Sequence, residues 1–261
     1  MSGKIRFSAN ISTMFTELPF QERFAAAAKA GFEAVEVQYV FDRFAARDIK
    51  ARADDLGLTV NHLNTAMGNS GEAGLAAQPG REAEFDAIMD EALENARLLD
   101  ARTIHVMSGC VQPALQQSAS ETFVGNMQRA SQKAAGMNVL LCIEPINAVD
   151  RQDYFVSRSD DIVSLLEIVD CTNVRLLFDF YHIQIMEGDL ARRMDRHWHH
   201  IGHFQFAGVP HRHEPQDCEI NYPILFADIV RRGWTGFAGA EYRPRGTTTD
   251  GLSWLTSFQP A

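Results

Sequence analysis

Long apolar runs are missing from this chain of 261 residues. Its longest uninterrupted aliphatic stretch lies near Val139 to Ile143, far short of the ~20 residues a helix needs to span a bilayer. The start, Met1 to Asn10, is polar, with Lys4 and Arg6 but no apolar segment behind them, so neither a membrane partner nor export is expected. Cysteine is scarce as well. Cys110, Cys142, Cys171 and Cys218 are widely spaced and form no C-x-x-C pair, which leaves a zinc knuckle or a disulfide framework unsupported; reduced thiols in a cytoplasmic protein are expected instead. Basic charge is short: 24 Lys and Arg stand against 34 Asp and Glu, a formal net charge of −10. Nucleic acid is therefore a disfavoured partner, because that binding rests on neutralising phosphates with Lys and Arg.

What is present is enough apolar surface for one large core. Hydrophobic residues make up 46% of the chain and charged ones 22%, too apolar for a disordered segment. Short β-rich runs alternate with longer stretches of helical period. Strands are predicted at Phe7–Ala9, Ala34–Gln38, Thr59–Leu63, Thr103–Met107, Val139–Ile143, Val174–Phe178, Ile201–Phe206 and Gly236–Ala240. Helices are predicted over Phe20–Ala30, Arg47–Leu56 (closed by Gly57), Arg81–Asp100, Ala119–Met137, from Ser159 onward, and over Asp189–His197, Tyr222–Arg232 and Thr248–Phe258. The Arg81–Asp100 segment is the clearest: Phe85, Ile88, Met89, Ala92, Leu93, Ala96 and Leu99 recur at i, i+3, i+4 and i+7 and make one buried stripe.

Roughly eight β-α units at a pitch of about 30 residues, with no Pro/Ser-rich linker between them, predict a single parallel (β/α)8 barrel domain spanning 1–261. The rival is a doubly wound open sheet. It would usually carry G-x-G-x-x-G after its first strand, and none occurs here.

In a barrel of this type the chemistry sits at the C-terminal ends of the strands. Glu144 follows Leu141-Cys142-Ile143, Asp179 follows Leu176-Leu177-Phe178, Gln205 follows Ile201 to Phe204, and Glu241 follows Phe237 to Ala240. A carboxylate at the end of a buried strand is costly unless it meets a cation or several donors, and converging carboxylates repel one another at low effective dielectric. A divalent cation resolves both problems, and an all-oxygen set suits Mg²⁺ or Mn²⁺ better than Zn²⁺. Taken singly, each residue also fits a structural role: Asp179 as a cap of the following turn, Glu144 or Glu241 as an ion-pair partner inside the barrel.

Other polar residues divide between the two kinds of role. His182 lies three residues after Asp179, and the loop Gly208–Asn221 carries His211, Arg212, His213, Glu214 and Glu219. Arg212 is the residue best suited to hold a small acid, whereas His213 fits a solvated turn. His197, His199 and His200 crowd a predicted helix end, where they favour the negative dipole. His105, His62, Asn64 and Asn147 sit in or after strands. A hydrogen-bonded core role and a substrate contact are both open for His105 and His62, while Asn64 and Asn147 suit either a donor to substrate hydroxyls or a turn.

Ile143-Glu144-Pro145-Ile146-Asn147, Asp179-Phe180-Tyr181-His182, Gly202-His203-Phe204-Gln205-Phe206-Ala207, Arg212-His213-Glu214-Pro215, Glu219-Ile220-Asn221-Tyr222 and Glu241-Tyr242-Arg243-Pro244 together resemble the hydroxypyruvate isomerase family. Arg6-Phe7-Ser8-Ala9-Asn10 and Pro79-Gly80-Arg81-Glu82 match as well. That family belongs to the xylose-isomerase-like TIM barrels and is similar to the ketose 3-epimerases. The resemblance implies a divalent metal, Mg²⁺ or Mn²⁺, held at Glu144, Asp179, Gln205 and Glu241, with Glu144 and Glu241 as the proton donor and acceptor pair. It also implies that His182 and Arg212 contact substrate oxygens. The epimerases have His where this chain has Gln205, and the family loop usually has Gly where this chain has Cys218.

The expected activity is that of an aldose-ketose type isomerase interconverting hydroxypyruvate and tartronate semialdehyde, with a small hydroxylated keto acid as partner. Within the family the Arg212–Tyr222 loop and Pro244-Arg245-Gly246 look closer to the 2-oxotetronate isomerases, so 2-oxotetronate is the alternative substrate, and a ketose 3-epimerase-like activity a further one. A metal-dependent phosphoesterase and a non-catalytic sugar-acid sensor are the readings from other classes. Monomer and homo-oligomer both remain open.

Overall fold

Eight short strands of largely apolar sequence pair with their neighbours in chain order. In a computed structural model, which describes residues 4–258, they are β1 (Arg6–Asn10), β2 (Ala34–Val37), β3 (Thr59–Asn64), β4 (Thr103–His105), β5 (Leu140–Ile143), β6 (Val174–Asp179), β7 (Ile201–Phe206) and β8 (Phe237–Ala240), and their order closes a barrel. The pairings β1–β2, β8–β1, β3–β4, β4–β5, β5–β6 and β7–β8 are all parallel. The open-sheet rival is thereby excluded. The polar start expected for Met1–Asn10 includes residues 1–3, and the 1–261 span includes residues 1–3 and 259–261, all outside the described residues.

Helices occupy the connections, as a parallel sheet requires. They are α1 (Phe20–Ala30), α2 (Ala46–Asp55), α3 (Glu82–Leu99), α4 (Gln116–Lys133), α5 (Ser159–Val169), α6 (Phe180–Met186), α7 (Leu190–His197), α8 (Tyr222–Arg231) and α9 (Trp254–Ser257). No described helix is long and apolar enough to cross a membrane. Gly57, with φ of 67°, turns the chain after α2 in the left-handed region that a Cβ disfavours. The N-terminus of α5 is served by a residue distant in sequence: the Glu187 carboxylate accepts from the Ser159 backbone N–H at 3.0 Å and from its hydroxyl at 2.8 Å.

Two sequence expectations are corrected. The closing helix predicted over Thr248–Phe258 is a 3-10 turn at Thr249–Gly251 followed by the single turn of α9. A Cβ on Gly251 would lie 2.7 Å from Glu214 Oε1, so tertiary approach of that side chain, and not helical period, shapes the segment. The strand predicted over Thr103–Met107 ends as β4 at His105. After Asp179 the chain enters α6 at once, with the Asp179 side chain accepting from the Tyr181 N–H as the N-cap.

The chain divides into two compact units, Met1–Asn61 with Phe204–Ala261, and His62–His203. The first has an aromatic core: Phe7 on β1 meets Phe226 and Trp254 edge to face at 5.1 Å, and Phe206 on β7 meets Trp254 at 5.3 Å, a geometry favoured by the ring quadrupoles. The second is aliphatic: Ile104, Leu141, Ile143, Leu176 and Leu177 of its strands are buried, as are Met89, Met127, Ile162 and Leu166 of its helices.

Candidate active site

Within His62–His203, strand ends deliver polar side chains into buried positions. Glu144 stands one residue beyond β5, before Pro145, and Asp179 is the last residue of β6; both are buried. The Asp179 Oδ1 accepts from the Tyr181 N–H at 2.8 Å, so the cap role that sequence allowed is real. Because α6 starts at once, its first turn carries His182 back towards the two carboxylates. His182 Nε2 lies 3.8 Å from Glu144 Oε1 and 3.8 Å from Asp179 Oδ2. One ligand atom from each of Glu144, Asp179 and His182 fits within 4.8 Å of the other two.

The tautomer of His182 decides its role. Its Nδ1 faces the backbone N–H of Asn147 at 3.2 Å and the Asn147 side-chain Nδ2 at 2.6 Å. The Asn147 amide is itself oriented, since its Oδ1 accepts from the Asp150 N–H at 2.8 Å. Both groups facing Nδ1 are donors, so Nδ1 is the acceptor and Nε2 carries the proton. A nitrogen bearing a proton has no lone pair for a metal. His182 is thus a donor aimed at the carboxylate pair, and the oxygens of Glu144 and Asp179 are the candidate ligand atoms of this unit.

His105, at the end of β4, lies with Nδ1 3.4 Å from Glu144 Oε2. Burial, and behind it His203, push its pKa down to about 3, so the imidazole is neutral and its approach to Glu144 is not an ion pair. Asn64, the last residue of β3, is buried, with Nδ2 3.5 Å from His105 Nδ1 and 3.8 Å from Met107 Sδ. The structure thus gathers Asn64, His105, Glu144, Asp179 and His182 in one unit. His62 takes the core role: its Nδ1 is 2.7 Å from the Thr103 hydroxyl and its ring stacks on His203 at 4.5 Å.

The other unit holds Gln205, Arg212 and Glu241. Gln205 lies on β7 and is fully buried; Glu241 follows β8 directly and is anchored by its N–H to the Phe206 carbonyl at 3.0 Å. Arg212 is held with φ of 55° and donates from Nη2 to Glu241 Oε1 at 3.0 Å. The Gln205 Nε2 donates to Glu36 Oε2 at 2.7 Å, while its Oε1 is buried and meets no hydrogen-bond donor. A buried amide oxygen left without a donor costs about 1–3 kcal/mol, which a cation at that atom would offset. Within this unit, the orphaned amide oxygen and the Glu241 carboxylate are each donors of the kind a hard divalent cation takes.

Several neighbours have structural roles. His213 Nδ1 donates to the Arg243 carbonyl at 2.7 Å, as its reading as a turn residue expects. Cys218, where the family loop usually has Gly, adopts φ of −139°, extended backbone open to any residue. Burial raises its thiol above the usual range, against a nucleophilic role. His197 closes α7 and bonds Asp160 at 2.9 Å. Sequence reasoning passed over Glu36, although a lone carboxylate in the apolar run Ala34-Val35-Glu36-Val37 is the signal that marks it.

Residues 24–258 match the protein family described as Xylose isomerase-like TIM barrel. The 2-oxo-tetronate isomerase of Cupriavidus necator is 44% identical over 97% of this chain and 98% of its own length. Hydroxypyruvate isomerase of Escherichia coli is 35% identical over 98% of this chain and 100% of its own. A solved structure from Brucella melitensis, titled AP endonuclease, family 2, is 41% identical with a TM-score of 0.95, covering 98% of this chain and 99% of that one.

Proposed function

For a chain that belongs to the xylose isomerase-like TIM barrel family, we propose the activity of an aldose-ketose type isomerase interconverting hydroxypyruvate and tartronate semialdehyde. A single domain spanning 1–261 carries it. The observation that supports it most is the buried Glu144–Asp179 pair facing the Nε2–H of His182. Relatives named as isomerases of small hydroxylated keto acids, at 35% and 44% identity over nearly the full chain, support the reaction class.

Glu144, Asp179, Gln205 and Glu241 are the residues to hold the cation, Mg²⁺ or Mn²⁺. When bound, that cation supplies Lewis acidity, lowering the cost of negative charge on the two substrate oxygens. The chain's own groups handle the proton. A glutamate, Glu144 or Glu241, takes the proton from the hydroxyl-bearing carbon of hydroxypyruvate, and the released electron pair forms the carbon–carbon double bond of an enediolate. Proton return at the neighbouring carbon regenerates a carbonyl one position over, with the hydroxyl proton moving to the old carbonyl oxygen. The Nε2–H of His182 donates to a substrate oxygen, and Arg212 orients the substrate carboxylate while fixing Glu241. Neutral His105 and Asn64 line the substrate side of Glu144.

A second reading, isomerisation of 2-oxotetronate, is favoured by the 44% identity of the relative bearing that name. The endonuclease title of the Brucella structure has no such support here, because a net charge of −10 suits no DNA backbone. The test is turnover of both keto acids after chelation and after return of Mn²⁺ or Mg²⁺, with NMR detection of solvent deuterium at the reacting carbons. Restored turnover and deuterium incorporation are expected, and the ratio of kcat/KM values ranks the two substrates. Full turnover in chelated protein would remove the metal assignment. No turnover or exchange with either acid would remove the isomerase.

A further inference from the structure

A fully buried carboxylate has no part in the mechanism above. Glu36 lies within the apolar strand β2, where a charged side chain is costly unless well partnered. Its seat is made by three strands of the same unit. Ser8 on β1 pairs in register with Gly239 on β8, and Gly239 pairs with Gln205 on β7. The three residues form one row across the sheet, with the residue that lacks a side chain in the middle. A Cβ at Gly239 would lie 2.1 Å from Glu36 Oε1 and 2.6 Å from Cδ, so the gap in the row is the space the carboxylate fills. On one side the Ser8 hydroxyl donates to Oε1 at 2.8 Å; on the other, Gln205 Nε2 donates to Oε2 at 2.7 Å.

This seat fixes the direction of an otherwise ambiguous group. An amide presents a donor at one end and an acceptor at the other, and the two ends are nearly equal in shape. A carboxylate can only accept, so the end of Gln205 that meets Glu36 is the NH2. The opposite end is then Oε1, the buried atom that meets no donor. Reversed, the side chain would turn an NH2 towards the cation.

We propose that Glu36, seated by Ser8 and by the missing side chain at Gly239, is a positioning residue that holds Gln205 with Oε1 presented as an oxygen ligand. The inference rests on the cation reading above and adds to it a residue that acts through the ligand Gln205.

The test is Mn²⁺ binding by the chelated full-length protein, read from the electron paramagnetic resonance signal of free Mn²⁺, with the thermal midpoint of the metal-free protein as a check on folding. Glu36→Gln is expected to weaken Mn²⁺ binding about 10- to 100-fold, the usual range for losing an outer partner of a ligand. The exchanged pair Glu36→Gln with Gln205→Glu remakes the bond with its donor and acceptor reversed. It should restore binding to within a few fold, a rescue that a merely structural role does not produce. Ser8→Ala, which removes a single hydroxyl, gives a milder loss and serves if Glu36→Gln does not fold. Wild-type affinity in a folded Glu36→Gln or Ser8→Ala variant overturns the proposal, as does an exchanged pair no better than the single variant. A wild-type protein that binds no Mn²⁺ overturns the cation reading itself, and is distinct from equal binding by wild type and variant.

Discussion

Buried acid is handled in two opposite ways: gathered, as in the pair Glu144 and Asp179, or individually seated, as Glu187 is on Ser159 and Arg193. In His62–His203, Glu144 and Asp179 face one another's neighbourhood, each 3.8 Å from the same imidazole nitrogen. In the other unit each buried carboxylate has its own seat: Glu36 between Ser8 and Gln205, Glu241 on Arg212, and Glu214 on the Arg245 N–H at 2.9 Å. Two like charges about 4 Å apart at an effective dielectric near 20 repel by about 4 kcal/mol. The first arrangement therefore leaves the most for a cation to gain, and the second leaves the least for side chains to move. Gathered charge and prearranged direction are separate requirements of a cation site.

Charge-neutral substitutions at the two glutamates test that contrast most severely. Glu144→Gln and Glu241→Gln should each lower kcat by about 10²- to 10⁴-fold, the range for a lost general acid or base. Their effects on the metal-free fold should differ in sign. Glu144→Gln removes one of two gathered charges and should raise the thermal midpoint or leave it unchanged. Glu241→Gln takes the carboxylate from Arg212, a pair with both side chains largely buried, and should cost about 1–3 kcal/mol. Equal destabilisation by both would break the contrast; wild-type turnover in Glu241→Gln would break the two-glutamate assignment.

Asp179 sharpens it, because one side chain serves both a cap and the carboxylate pair. Asp179→Asn keeps an oxygen to accept from the Tyr181 N–H and loses the charge; Asp179→Ala loses both. Both should bind Mn²⁺ poorly, but only Asp179→Ala should lose the cap's worth of stability, about 0.5–2 kcal/mol. Chemical denaturation of the two metal-free variants makes the comparison. If they unfold together, the cap is not what holds α6 in place.

How much of this could be read beforehand follows from where each signal lies. Glu144, Asp179 and Glu241 are legible because apolar runs end abruptly on a carboxylate, a pattern carried by adjacent residues. The bounds of α1 are legible because Gly31, with φ of 97°, closes the apolar period of Phe20–Ala30. The role of Glu36 is not legible, since its partners Ser8, Gln205 and Gly239 come from three other strands and meet only through register. The break in the closing helix is hidden for the same reason: Glu214 and Gly251 are far apart in sequence. Even Asn147, readable as a turn residue, orients His182 through a fold contact that its neighbours do not announce.

The smallest expected effect concerns a third treatment of acid in His62–His203, a half-exposed carboxylate beside a buried imidazole. Asp160 is shared by Arg193 Nη1 at 2.9 Å and His197 Nε2 at 2.9 Å. Burial raises the Asp160 carboxyl, but the Arg193 bond and the nearby charges outweigh it and hold the group below the usual range. Burial also lowers His197, with Asp160 pulling the other way and losing. Both groups therefore bind protons more weakly folded than unfolded, and stability must fall with pH. The His197 contribution is present above about pH 6.5, its unfolded pKa, and is lost as pH falls through the folded value; that of Asp160 is lost only below about pH 4. Because Asp160 is nearly half exposed, solvent screens much of its share. His197→Gln cannot titrate, so between about pH 7 and pH 5 its thermal midpoint should drop by about 1–2 °C less than that of the wild type. Parallel curves over that interval would mean that the imidazole is as easily protonated in the fold as out of it, and that this pair, with its half-exposed carboxylate, is indifferent to its surroundings.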